Sequence, residues 1–306
     1  MKTGNAFNWG PWWTAVAGRG FTLVELLVVI TILVLLLALL APAMEVAIYR
    51  AELTICGTRQ KAVAGAMTVY AGEYRRWYPH NSSFERNAGW HGPLLRHLGT
   101  AVAVAGAGTP VANGVAVDMR PLLRPYLSIN KTLMDPMIES IDLENAPEVL
   151  IYGSYSLWNG WKWATNTFKT TERQAKVGDR FDWRGPTGAD PPIRWDILVT
   201  DFMRANLSGP PPAAEPDGGY WTSHPPLKGT SRLNKFRGQQ LYTTAVHYFW
   251  IGNAAGRDEV DYNVARQDGS VQTYDQVGYN DPRLIDVAEW NTGAGDNDLY
   301  HQLPVR

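Results

Sequence analysis

One carboxylate, Glu25, interrupts an otherwise uncharged run from Phe21 to Ala41, FTLVELLVVITILVLLLALLA. On insertion scales a charge at the centre of a span costs about 2.5–3.5 kcal/mol, so such a group ordinarily has a partner and a role. In lipid the natural partner is a cation, because pairing offsets the burial cost that either charge bears alone. The chemistry expected at Glu25 is therefore ion pairing, the alternative being a shallow position from which it reaches the headgroups. Catalytic chemistry has little support. No G-x-S-x-G, H-E-x-x-H, phosphate loop or dinucleotide fingerprint occurs, and Gly153-Ser154-Tyr155-Ser156 lacks the nucleophile-elbow spacing. His80, His91, His97, His224, His247 and His301 are scattered, and His247 reads as a packed strand residue. His91 and His97 are six apart, so a helix would not stack them on one face. No enzyme is expected.

Three further groups could bind something. Asp281, Asp286, Glu289, Asp296 and Asp298 offer hard oxygen ligands suited to Ca²⁺. They lack EF-hand spacing, so solvated loop charge is the preferred reading, and no cofactor or metal is expected. Trp158, Trp161 and Trp163 could stack on sugars if exposed; buried, they would be a packed strand end. Cys56 is the single cysteine, so an internal disulfide is impossible, and the residue reads as a small core hydrophobe. A formal net charge of −1 supplies no basic field, so nucleic acid is not an expected partner.

The elements that must position these groups follow from periodicity. The Phe21–Ala41 run is long enough to cross the roughly 30 Å hydrocarbon core as a helix. Lys2 and Arg19 precede it and no acidic residue does, so the positive-inside rule keeps residues 1–20 in the cytoplasm and exports the rest. The rival reading is a cleaved secretory signal, with Ala41-Pro42-Ala43 as a small-residue cleavage site. Signal cores typically run about 7–15 residues, and this one is longer. Past the span, Val46, Tyr49, Leu53, Cys56, Gln60, Val63, Met67, Tyr70 and Tyr74 recur at steps of three and four and form one amphipathic stripe. Pro79 stops the helix, which is expected over 21–78 with the span at 21–41 and the amphipathic part at 42–78.

Residues 79–306 read as one head of antiparallel β-structure with long loops. Strands are expected at Val149–Leu157, Ile193–Thr200, Leu241–Ile251, Tyr262–Gln267 and Ser270–Tyr274. The last two flank Asp268-Gly269, a two-residue hairpin signal in which Gly supplies positive φ. Thr100–Gly114 and Gly209–Pro216 read as loops. The fold class is α+β: a long N-terminal helix packed on an antiparallel sheet.

Gly20-Phe21-Thr22-Leu23-Val24-Glu25 resembles the prepilin cleavage and methylation motif of type IV pilins and type II secretion pseudopilins. The resemblance implies cutting between Gly20 and Phe21 by a prepilin peptidase and N-methylation of Phe21. It implies that Glu25 meets the Phe21 amine of a neighbouring subunit, and that Pro42 is the kinking proline of the helix. It further implies other pseudopilin subunits and an inner-membrane assembly platform as partners, and a single-pass inner-membrane protein. The leader would be cytoplasmic and the head periplasmic or extracellular. Cys56, Gln60, Ala66, Tyr70 and Pro79 are similar to a pseudopilin subgroup whose helix often reads C-x-N-L-K/R-Q. Many of its members carry a mid-chain Cys-Pro, whose counterpart here is Asp135-Pro136, so a disulfide common in the subgroup is absent. Asn263 to Val271 is similar to its C-terminal signature, N-V-x-x-x-D-G-S/H-V, which often adds a His ten positions before the Asp; Asp258 stands there. The implied function is a structural subunit of a pseudopilus or pilus-like fibre. The alternative, carried by the Trp158–Trp163 segment, is a membrane-tethered carbohydrate-binding module.

Overall fold

The computed structural model describes residues 20–79, 94–97, 117–138, 142–145, 150–159, 176–183, 193–206, 220–224, 235–237, 243–244, 247–251, 259–277, 283–289 and 299–304. Two compact units divide the chain, residues 1–48 and 49–306. In the first, every described side chain from Gly20 to Ile48 is exposed. This segment belongs to one α-helix, Leu23–Glu73, which is long and apolar enough at its N-terminal end to cross a membrane. The run from Leu23 to Ala41 contains no Gly or Pro, and the helix continues through Pro42. A proline removes one backbone hydrogen bond, which the surrounding turns can tolerate.

The helix ends at Glu73, five residues before the expected Tyr78. Arg75 and Arg76 adopt positive φ, 54° and 72°, which leaves the right-handed helical region and reverses the chain. The Arg76 amide donates to the Ala71 carbonyl at 2.7 Å and so closes the last turn. Trp77 then bridges to Lys176, whose ammonium lies 4.2 Å from the centre of the indole ring.

In the second unit the helix buries Tyr49, Leu53, Cys56, Gln60, Val63, Ala64, Ala66, Met67 and Ala71. Six of these belong to the expected stripe. Tyr74 does not, being half exposed, because it already lies in the reversing turn. The stripe meets a four-stranded antiparallel sheet ordered Val271–Val277, Val260–Arg266, Ile197–Asp201, Tyr155–Leu157. Ile197–Asp201 is buried along its whole length, so it carries no polar-out alternation. Cys56, Val63, Met67 and Ala71 share one apolar cluster with Tyr155, Leu157, Leu198, Val199 and Ala265. The 119–143 region closes it with Met119, Leu123, Ile129, Leu133 and Met134. Gly57 faces the hairpin across a short gap: a Cβ there would lie 3.4 Å from the Val271 methyl.

The hairpin turns through Gly269 at φ +80°, with the Ser270 amide donating to the Asp268 carboxylate at 2.8 Å. A six-stranded antiparallel sheet, unrecognised in the sequence, runs Lys235–Arg237, His247–Ile251, Tyr220–Thr222, Met203–Asn206, Leu299–Pro304, Leu284–Glu289. The expected Leu241–Ile251 strand is two strands in different sheets. Thr243–Thr244 pairs in parallel with Leu150–Tyr152, a departure from the all-antiparallel expectation, and His247–Ile251 joins the six-stranded sheet.

Candidate functional site

At the N-terminal end of the helix, Thr22 and Glu25 cap each other. The Glu25 amide donates to the Thr22 hydroxyl at 3.2 Å, and the Glu25 carboxylate accepts from the Thr22 amide at 2.9 Å and from its hydroxyl at 2.8 Å. This is a reciprocal capping box, which satisfies two of the donors that a helix start leaves without partners. The pattern Thr22-x-x-Glu25 before an apolar run was its signal in the sequence, and the ion-pair reading had passed over it. Phe21 is 70% exposed, and a Cβ at Gly20 would meet nothing within 4 Å, so the backbone around the 20–21 bond is open. The leader residues Lys2 and Arg19 lie outside the described residues.

A second constellation lies in the interior of the head. Cys56, Asp135, Asp201 and His224 each place one thiol, carboxylate or imidazole atom within 4.8 Å of all the others, and all four are buried. Each arrives on a different segment. Cys56 sits on the helix stripe. Asp135 opens a turn in which its own carboxylate accepts the Met137 amide at 2.8 Å. Asp201 ends the Ile197–Asp201 strand, and the chain passes through Phe202 into Met203–Asn206. That second strand pairs antiparallel with Tyr220–Thr222, Met203 opposite Thr222. The Ser223 amide donates to the Phe202 carbonyl and the Phe202 amide to the Ser223 hydroxyl, which carries the alignment one step further, and the next step sets His224 beside Asp201.

The hydrogen bonds form one network. His224 Nε2 lies 2.7 Å from Asp135 Oδ2 and 3.3 Å from Cys56 Sγ, while Nδ1 donates to the Asp261 carbonyl at 2.6 Å. Asp201 Oδ1 accepts from Gln60 Nε2 at 2.6 Å and from the Cys56 thiol at 3.1 Å, and Oδ2 accepts from the Asn263 amide. Gln60 Oε1 is buried and has no hydrogen-bond partner among the described residues. Burial alone would lower the His224 imidazole, but the Asp201 and Asp135 carboxylates outweigh it and lift it to about 10. Burial pushes Asp201 up, to about 6, against the pull of His224. Burial, then the charges of Asp135 and Asp201, push the Cys56 thiol well above its ordinary value.

Cys56 is buried as expected, but its thiol faces ions rather than hydrocarbon. The Asp135 carboxylate lies within 4.8 Å of the Cys56 sulfur. No local signal marked His224, which is 168 residues from Cys56.

Among the other expected residues, Trp158 is 2% exposed and its indole donates to the Thr200 hydroxyl at 3.1 Å, so this ring offers no sugar platform. Trp161 and Trp163 lie outside the described residues, as do Asp281, Asp296, Asp298, His80 and His91. Of the acidic groups proposed for Ca²⁺, Asp286 and Glu289 fall in the Leu284–Glu289 strand. Pro42 lies within the helix, and Asp268 and Gly269 form the hairpin turn.

The prokaryotic N-terminal methylation motif matches residues 18–41. No curated protein and no solved structure matches the chain. That motif opens an apolar helix, and the same helix continues as the buried spine of an α+β head, an arrangement consistent with a type IV pilin-like protein.

Proposed function

We propose that the protein is a structural subunit of a type II secretion pseudopilus or a related pilus-like fibre. It is made as a precursor, cut between Gly20 and Phe21 by a prepilin peptidase, and methylated on the new Phe21 amine. The methylation motif at residues 18–41, set on a membrane-length helix, carries this reading. The leader stays in the cytoplasm, as Lys2 and Arg19 direct, and the head is exported from the inner membrane. Glu25 receives the Phe21 amine of an adjacent subunit, and Pro42 is the bend point of the helix. Partners are the peptidase and N-methyltransferase, other pilin-like subunits and the inner-membrane assembly platform. The role is structural, not enzymatic. The carbohydrate-binding alternative loses Trp158, the one member of its aromatic segment that is described.

The capping box sharpens the test, because Glu25 now has two roles to separate. Gln completes a capping box as Glu does, but carries no charge. Protein recovered from membranes should begin at Phe21 by mass spectrometry and N-terminal sequencing. Glu25→Gln should still insert, still be cut, and fail to form cross-linked ladders through the N-terminal helices with the major subunit. A chain beginning at Met1 or Glu45 would sink the processing step. Wild-type ladders from Glu25→Gln would leave Glu25 as a helix cap only.

A further inference from the structure

We propose that Cys56, Asp135, Asp201 and His224 form a closed, four-coordinate site for one zinc ion, which ties the helix to three distant segments of the head. The donor set points to the metal. A thiolate and an imidazole are ligands of borderline-soft ions, and Ca²⁺ and Mg²⁺ take oxygen. Thiolate sulfur, imidazole nitrogen and carboxylate oxygen are all zinc ligands, and four of them from four segments fill a tetrahedral shell. Zinc bonds of roughly 2.0–2.3 Å set tetrahedral corners roughly 3.3–3.8 Å apart. The observed separations of 3.1 Å between Cys56 and Asp201 and 3.3 Å between Cys56 and His224 lie close to that range. The 2.7 Å contact between His224 and Asp135 is a hydrogen bond that an ion between them would replace.

Asp135, Asp201 and His224 are each held from behind. His224 Nδ1 donates to the Asp261 carbonyl, which directs Nε2 inward; Asp201 is held by Gln60 and Asn263, and Asp135 by the Met137 amide. Such outer contacts fix imidazole tautomer and carboxylate orientation in metal centres. The Gln60 amide lies at the same cluster with a carbonyl oxygen that has no partner among the described residues.

The site is buried on all four residues, so it has a structural role. It serves where a disulfide cannot, since the chain has one cysteine. Through Cys56 the ion holds the buried half of the helix to the 135 turn and to the junction of the two main sheets.

The test uses the full-length chain purified from membranes in detergent. Elemental analysis should find about one zinc per chain, retained on dialysis. Stripping with a chelator should lower the thermal midpoint, and equimolar Zn²⁺ should restore it. Co²⁺ added to the stripped chain should give the intense visible absorption of a tetrahedral ion together with a near-ultraviolet thiolate charge-transfer band. Cys56→Ser should lose that band and retain visible absorption. The wild-type Co²⁺ titration decides without any variant, so misfolding of Cys56→Ser would not rescue the proposal. It is overturned if the chain carries no zinc, gives no tetrahedral Co²⁺ spectrum and melts at the same temperature with or without Zn²⁺; the cluster is then a proton-bridged network. It is overturned equally if a folded Cys56→Ser keeps the charge-transfer band, which places the ion elsewhere.

Discussion

Residues 23–41 and 49–71 share one continuous helix, yet their surfaces are made for different solvents. In the first stretch every side chain is exposed and Glu25 is the only charged group, tied back to Thr22 by the helix cap. In the second, nine residues are buried on one face, and two of them, Cys56 and Gln60, enter a network with two carboxylates and an imidazole. Helical hydrogen bonding is the same in both and decides nothing about partners. Side-chain chemistry does: an all-round apolar surface needs lipid or other such helices, while a single stripe needs a protein core. The charged groups differ in the same way. Glu25 is partnered locally, three residues away, whereas Asp201 draws its partners from positions 56, 60 and 263.

Perturbations of the two halves should therefore differ in scale. The largest effect is expected from a fragment starting at Pro79, which loses the buried face of Val63, Ala64, Met67 and Ala71. It should aggregate and show no cooperative melting transition, whereas a fragment starting at residue 45 should be soluble and melt cooperatively. Equal behaviour of the two would remove the helix from the core of the head.

Next comes the ion cluster. Asp201→Asn leaves His224 with one carboxylate fewer in the interior, and breaking a buried charge pair typically costs about 3–5 kcal/mol. Urea denaturation of the residue 45 fragment should register a loss of that order. A loss below about 1 kcal/mol, the scale of an exposed pair, would mean that the carboxylate is hydrated.

Met67→Ala should cost about 2–5 kcal/mol, the range for large-to-small changes in a packed core, measured the same way. The matched change in the first half, Leu33→Ala, should leave the head's melting temperature in the full-length chain unchanged, because Leu33 is exposed and is no part of the head's buried core. Similar losses from both would erase the distinction between the halves.

The smallest effect is expected at the hairpin. Gly269 has φ +80° with open space where a Cβ would stand, so Gly269→Ala adds backbone strain without a clash. A cost of about 1–2 kcal/mol follows for an L-residue in left-handed space. Circular dichroism melts would show it as a modest shift, and no shift at all would mean that the turn relaxes into another type.

Much of this architecture was legible from residue order alone, because it rests on local rules. The membrane-length run, the stripe from Tyr49 to Met67 and the Asp268-Gly269 turn are each written within a few consecutive residues, where periodicity and positive φ leave few choices. The capping box was equally local, and was missed only because Glu25 was read for its charge and not for its spacing from Thr22. The helix end was less legible: Pro79 suggested a stop near Tyr78, but Arg75 and Arg76 turn the chain earlier through a conformation that arginine does not advertise.

The six-stranded sheet escaped because its strands are short and separated by long Gly- and Pro-rich stretches, and their pairing is set by neighbours far along the chain. The ion cluster escaped for a stronger reason. Cys56 reads as a core residue on an apolar stripe, Asp135 as a turn residue, Asp201 as a strand end and His224 as one scattered histidine among six. Each reading is right locally. Their meeting depends on strand register, with Met203 opposite Thr222 carrying His224 to Asp201, and on the helix lying across that junction. Register and packing are long-range properties, so the methylation motif belongs to the order of residues, and the buried site belongs to the fold.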